Sequence, residues 1–213
     1  IASGGCDRTV RVWDYATGKL EHSIENHADW VFGVVFAPDN KHLLTCSRDK
    51  TAKVWDLATK ESVLTFPDHQ NPVFGVGVKA DSKAGFSVGT DKNLRMWNAV
   101  GEGKQIKVLG NHSDEILKLV QHPKEPIMVT CSADKTVKVW NPETGVTLKT
   151  LSGLTDHVFA AAISPDATMV AAGSYDGQVF VWKVADGGHG VLSAPHGRGN
   201  DRWVDAQAYR VNP

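Results

Sequence analysis

The chain has 213 residues and a formal net charge of −1, with charges of both signs interspersed. That balance speaks against a dedicated nucleic-acid binder, which carries a basic face. No apolar run approaches the roughly 20 residues of a membrane-spanning helix, and no signal peptide is expected, since Ile1-Ala2-Ser3-Gly4-Gly5 has neither a start Met nor a basic leader.

Ser47-Arg48-Asp49-Lys50-Thr51-Ala52-Lys53-Val54-Trp55-Asp56 reads as a tight turn feeding a short strand that ends in Trp-Asp. The phrase returns along the chain. Asp7 leads to Trp13-Asp14, Asp91 to Trp97-Asn98, Asp134 to Trp140-Asn141 and Asp176 to Trp182-Lys183, always with the Asp six residues before the Trp. Trp positions 13, 55, 97, 140 and 182 lie 42 or 43 apart. A fixed period of that size marks a repeat architecture.

Residues 1–26 give three strands of a first unit, at 1–5, 9–13 and 20–24, whose leading strand is missing. Residues 27–66 give the first complete unit. Val31–Phe36 is an apolar run suited to a buried strand, Pro38-Asp39-Asn40 is a turn signal, and strands follow at 42–47, 51–55 and 62–66. Units at 69–109 and 112–152 repeat the plan. The last unit, from 154, has strands at 158–163, 169–174 and 179–184. Its fourth strand is hard to find, since Val191-Leu192 is the only apolar pair where one belongs. Residues 1–185 are expected to form the repeat array and 186–213 an irregular tail. Cys46 and Cys131 each stand nine residues before a Trp. They should be buried strand thiols in non-adjacent units, too far apart for a disulfide. Cys6 has no evident partner.

On the five Trp-Asp-like endings, the constant turn Asp, and His27, His69 and His112 each 28 residues before a Trp, the chain resembles the WD40-repeat β-propeller family over residues 1–185. The resemblance implies an all-β fold of four-stranded blades set radially around a channel. Four near-complete blades and one partial blade are expected, as a fragment of a larger, seven-bladed propeller. A closed five-blade ring is the alternative. The family also implies a His, Ser/Thr, Asp, Trp network in each blade. Carried over here, it is complete as His27, Ser47, Asp49, Trp55 and as His112, Ser132, Asp134, Trp140. The third unit has Gly89 at the Ser position and the last has Leu154 where His belongs, so those two blades are expected to be held less rigidly. Blocks such as Val88-Gly89-Thr90-Asp91 and Ala171-Ala172-Gly173-Ser174-Tyr175-Asp176-Gly177 are further similar to bacterial WD40 domains joined to c-type cytochrome modules. Haem-binding Cys-x-x-Cys-His is absent from this sequence.

These features point to a non-enzymatic scaffold that presents one propeller face to a protein or peptide. The alternative is an accessory propeller of a larger redox protein, with a haem domain of the same parent as partner. No catalytic, cofactor or metal residues are expected. Asp, His and Ser sets that recur once per unit beside a Trp read as structural, and His27, His69 and His112 should be spread around a ring. His189 and His196 are too few to hold a metal. Asn111-His112-Ser113 matches a glycosylation acceptor, but His112 belongs to the network. Adaptor function in ubiquitin ligation is not supported, because Ala16 and Ala58 stand where that class has Arg.

In the family, partners bind the face carrying the turns before strand one and between strands two and three. Matching positions here are Trp30, Phe32 and Arg48, then Pro72 and Phe74, then His157, Phe159 and Tyr175. Aromatics and Arg dominate interface energetics. Phe32, Phe74 and Phe159 fit the inter-blade core equally well.

Overall fold

Short apolar runs punctuated by Asp, Asn and Gly turns favour an antiparallel meander. The protein, seen in a computed structural model that describes residues 1–193, consists of five such meanders. The first sheet has three strands, β1 (Ala2–Gly4), β2 (Thr9–Trp13) and β3 (Leu20–Glu25). The second has β4 (Val31–Phe36), β5 (His42–Ser47), β6 (Ala52–Asp56) and β7 (Ser62–Phe66). The third has β8 (Val73–Val78), β9 (Ala84–Gly89), β10 (Asn93–Asn98) and β11 (Gln105–Asn111). The fourth has β12 (Ile116–Gln121), β13 (Met128–Ser132), β14 (Val137–Trp140) and β15 (Thr147–Leu151). The fifth has β16 (Val158–Ile163), β17 (Met169–Ser174), β18 (Val179–Lys183) and β19 (His189–Ser193). These have the form expected of propeller blades, four with four strands and the first with three. Among the described residues, strand pairing stays within each sheet.

β19 corrects the expected start of the irregular tail at residue 186. It pairs with β18 in the register Trp182↔His189 and Phe180↔Val191. An outermost strand needs a partner for its backbone more than an apolar face. A turn supplies the reversal, with Gly187 at φ 78° and the Asp186 carboxylate accepting the Gly188 N–H at 2.8 Å. The rest of the expected tail, 194–213, including His196, lies outside the described residues.

The repeated Asp explains the hairpin that leads into the Trp-bearing strand of each sheet. Asp7, Asp49, Asp91 and Asp134 each accept the N–H of the residue two places on, at 3.0–3.2 Å. The intervening Arg8, Lys50, Lys92 and Lys135 hold φ of 66–72°, and Gly177 takes that place after Asp176 at 84°. An Asp that bonds back to its own backbone stabilises such a turn.

Apolar side chains pack between successive sheets, forming a separate core at each of four junctions. Each Trp of the repeat from the second sheet onward packs back on the sheet before it. Trp55 joins Val10, Val12 and Ile24, and Trp97 stacks on Phe66 with ring centres 5.2 Å apart. Cys46 and Cys131 are fully buried in β5 and β13, and burial pushes both thiols up to about 12.

Gly85 faces the Trp97 indole across the β9–β10 pair. A Cβ there would lie 2.3 Å from the ring, which is itself fully buried. Gly85→Ala is expected to lower stability by about 1–3 kcal/mol, the cost of overpacking a filled core. A urea midpoint equal to the parent's would mean that Trp97 can retract.

Candidate functional site

The face that could recognise a partner rests on a rigid frame, and the frame is polar. In the second sheet the Trp55 Nε1–H donates to Thr45 Oγ1 at 2.8 Å, and Thr45 Oγ1 lies 2.7 Å from His27 Nε2. His27 Nδ1 lies 2.8 Å from Asp49 Oδ2. One direction satisfies the whole chain: indole N–H to hydroxyl, hydroxyl to Nε2, Nδ1–H to carboxylate. The fourth sheet repeats it through Trp140, Thr130, His112 and Asp134 at 2.8, 2.8 and 2.9 Å.

The hydroxyl of this network is therefore Thr45 or Thr130, not the expected Ser47 or Ser132. Those serines sit two residues nearer the turn. Ser47 Oγ donates to the Asp29 carbonyl and accepts the Asp49 N–H, and Ser132 does the same with Asp114 and Asp134. They tie the turn to the segment before the first strand.

The same geometry revises the third unit, where Gly89 suggested an incomplete set. Ser87 receives the Trp97 indole at 3.2 Å and meets His69 Nε2 at 2.7 Å. Asp91 also takes a 2.7 Å bond from Arg95 Nε. Among the four complete sheets, the fifth is the one with a different arrangement. Ala172 stands where the hydroxyl should be and Leu154 replaces His, so the Trp182 indole donates instead to the Ser152 carbonyl at 3.2 Å.

Burial alone would push Asp134 up. The Thr136 hydroxyl, the His112 ring and the Ser113 N–H outweigh it and hold Asp134 at about 2. Asp91 is likewise at about 2, where burial is outweighed by His69 and Arg95, and Asp49 lies well below the usual carboxylate range. Burial pushes His112 down despite the neighbouring carboxylate. The imidazole is thus neutral at pH 7 and donates to an ionised Asp134.

On this frame the first strand of each complete sheet carries one extra residue. Pairing passes from Val31↔Ser47 to Gly33↔Cys46, skipping Phe32. It skips Phe74, Leu117 and Phe159 in the same way in the third, fourth and fifth sheets. Each is a β-bulge, a device that re-aims a side chain out of the ladder. Beside each bulge, a backbone bond joins the residue before the strand to the residue before the turn Asp. Arg48 donates to Trp30, Thr90 to Pro72, Ala133 to Glu115 and Tyr175 to His157, at 2.9–3.1 Å. Position by position, the sheets therefore offer Trp30 with Arg48, Pro72 with Thr90, Glu115 with Ala133, and His157 with Tyr175.

The six residues expected to bind a partner fall into two groups. Arg48 lies 5.1 Å over the Trp30 ring and 3.7 Å from Asp29, so it is engaged on its own surface rather than unpaired. Trp30 meets Phe32 edge-on at 6.3 Å, and Phe32 meets Phe74 at 5.2 Å. Phe32 also packs against the core between the second and third sheets. In the second group Phe159 touches His157 at 6.3 Å and Tyr175 at 6.0 Å. Trp30 is 42% exposed, Phe159 49% and Tyr175 78%, and the Arg48 side chain is half exposed, so these four are the accessible members.

Between the groups lies a cleft of about 570 Å³ lined by Phe74, Asp114, Glu115, Leu117, Ala133, His157 and Phe159. Sequence reading had no reason to single out Asp114, Glu115 or Ala133. The available signal was the small Ala133 at the position held by Arg48 and Tyr175 in other units.

Comparison with known proteins matches the family described as "WD domain, G-beta repeat" to residues 1–14, 18–56, 60–98, 103–141 and 145–183. The chain is also similar to the small ribosomal subunit protein RACK1 of Caenorhabditis elegans. The two are 37% identical over 224 residues, which cover 100% of this chain and 67% of that protein. That relative is a nematode protein, so the likeness to bacterial cytochrome-linked domains gains no support from it.

Proposed function

The chain belongs to the WD40-repeat family, and from that premise we propose that it is a non-enzymatic scaffold whose bulged face binds a protein or peptide. The carrying observation is the row of bulges. It aims Phe32, Phe74, Leu117 and Phe159 out of the strand ladder and groups them with Trp30, Arg48, His157 and Tyr175. Exposed aromatics beside an arginine are the residue types that anchor interfaces. The Asp, His and hydroxyl groups that could suggest catalysis are engaged in bonds within each sheet. The similar nematode protein is named as part of a large assembly, the small ribosomal subunit, which accords with a docking role.

Capture of partners by the full chain tests the face. Trp30→Ala is expected to reduce recovery of a specifically bound partner about tenfold, a loss of roughly 1.4 kcal/mol. Arg48→Ala should reduce it less, because its side chain is half exposed. Recovery unchanged in both variants would remove the face from consideration.

A further inference from the structure

The cleft between the two aromatic groups has its own chemistry. Ala133 leaves space where Arg48 and Tyr175 fill the equivalent positions. Phe74 stands on one side, and His157 and Phe159 on the other. Two carboxylates meet there. Among the described residues the Glu115 carboxylate has no hydrogen-bond or ion-pair partner, although its backbone is fully engaged. Asp114 Oδ1 accepts the Glu115 N–H at 2.9 Å and faces Lys92 Nζ at 3.3 Å. Asp114 Oδ2 has no partner among the described residues. Lys92 is also tied to the Ser113 carbonyl at 3.1 Å, so one anchored ammonium stands against two carboxylates. The neighbouring Lys118 is exposed and does not line the cleft.

Resting on the scaffold reading above, we propose that this cleft receives an arginine side chain of the partner, with its guanidinium between the aromatic walls and on the Glu115 and Asp114 carboxylates. The fit is chemical. Guanidinium is planar, stacks on aromatic faces and presents a fork of donors that matches carboxylate oxygens. Such bonds are charge-assisted and strong. An ammonium lacks the fork and holds its water more tightly. The volume exceeds one side chain and also admits the flanking peptide backbone.

The probe is the pentapeptide acetyl-Gly-Ser-Arg-Ser-Gly-amide, titrated into the isotope-labelled full chain and followed by amide NMR shifts. Saturable shifts are expected around residues 74, 115, 133 and 159. The lysine peptide should bind at least fivefold more weakly, and the norleucine peptide should not saturate. Glu115→Gln should weaken the arginine peptide at least fivefold. Ala133→Tyr, which fills the cleft with the residue found at the same place in the fifth sheet, should abolish binding while leaving both carboxylates. Equal binding of the lysine or norleucine peptide, or insensitivity to either substitution, would overturn the assignment. The two readings fail separately. If the peptide fails while partner recovery still depends on Trp30, the arginine cleft falls and the scaffold stands. If the peptide binds as described while recovery ignores Trp30, the cleft stands and the wider face falls.

Discussion

Thr130→Val is expected to lower the unfolding free energy by about 2–4 kcal/mol in urea titrations. The substitution preserves shape and removes one oxygen. That oxygen, fully buried, accepts the Trp140 indole N–H and meets His112 Nε2, both at 2.8 Å. Its loss strands a buried donor on one side and a buried acceptor on the other, each costing about 1–3 kcal/mol with no water to replace the bond. Thr45→Val should behave alike in the second sheet. Ser132→Ala should cost less, about 1–2 kcal/mol, because it loosens a turn whose Asp keeps its other contacts. A larger loss for Ser132→Ala than for Thr130→Val would return the serine to the network.

Acid should unfold the protein in two stages, and the sign follows from the direction of each shift. Asp91 and Asp134 fall from 3.8 to about 2 in the folded chain, and Asp49 is lower still. A carboxylate with a depressed folded pKa contributes stability that is fully present above its unfolded pKa. The contribution is lost as pH falls through the folded value, so the main loss lies between about pH 4 and pH 2. Asp91 and Asp134 therefore each stabilise the fold above about pH 4. His112 acts earlier. Its folded pKa is depressed below 6.5 by burial, so the unfolded chain takes up that proton first and stability begins to decline below about pH 6.5. Unfolding curves from pH 8 to pH 2 should show a shallow decline followed by a steep one. Asp134→Asn should be less stable at pH 7 and should flatten the steep stage. Parallel profiles for parent and variant would exclude Asp134 as a source of the acid response.

Much of the fold was legible because the period is carried by residues with backbone duties. The Asp that bonds two residues onward and the Trp that packs on the preceding sheet cannot be moved without losing both. Strands such as 31–36, 42–47, 62–66, 158–163 and 169–174 therefore lie where the pattern puts them. The hydroxyl was misplaced for a physical reason. Ser47 and Ser132 stand next to the turn Asp, and only the cross-strand geometry reveals that the residue ten before the Trp lies between the two rings. The signal existed among the complete units: Thr45, Ser87 and Thr130 carry hydroxyls there in the three that have His, and Ala172 does not in the one that has Leu154 instead. β19 was missed because an outermost strand needs little apolar pattern. The cleft was missed because it is made by a small side chain, and an absence of bulk between neighbouring sheets leaves no motif.

The bulges carry a consequence for how such a chain can change. A residue that every cross-strand pair skips is not held by the ladder, so the pairing on either side of Phe32, Phe74, Leu117 and Phe159 does not run through them, although Phe32 still packs on the core. If the face binds as proposed, recognition and strand pairing fall to different residues of the same strand. New specificities can be tried one sheet at a time, as interchangeable tips on a fixed set of handles.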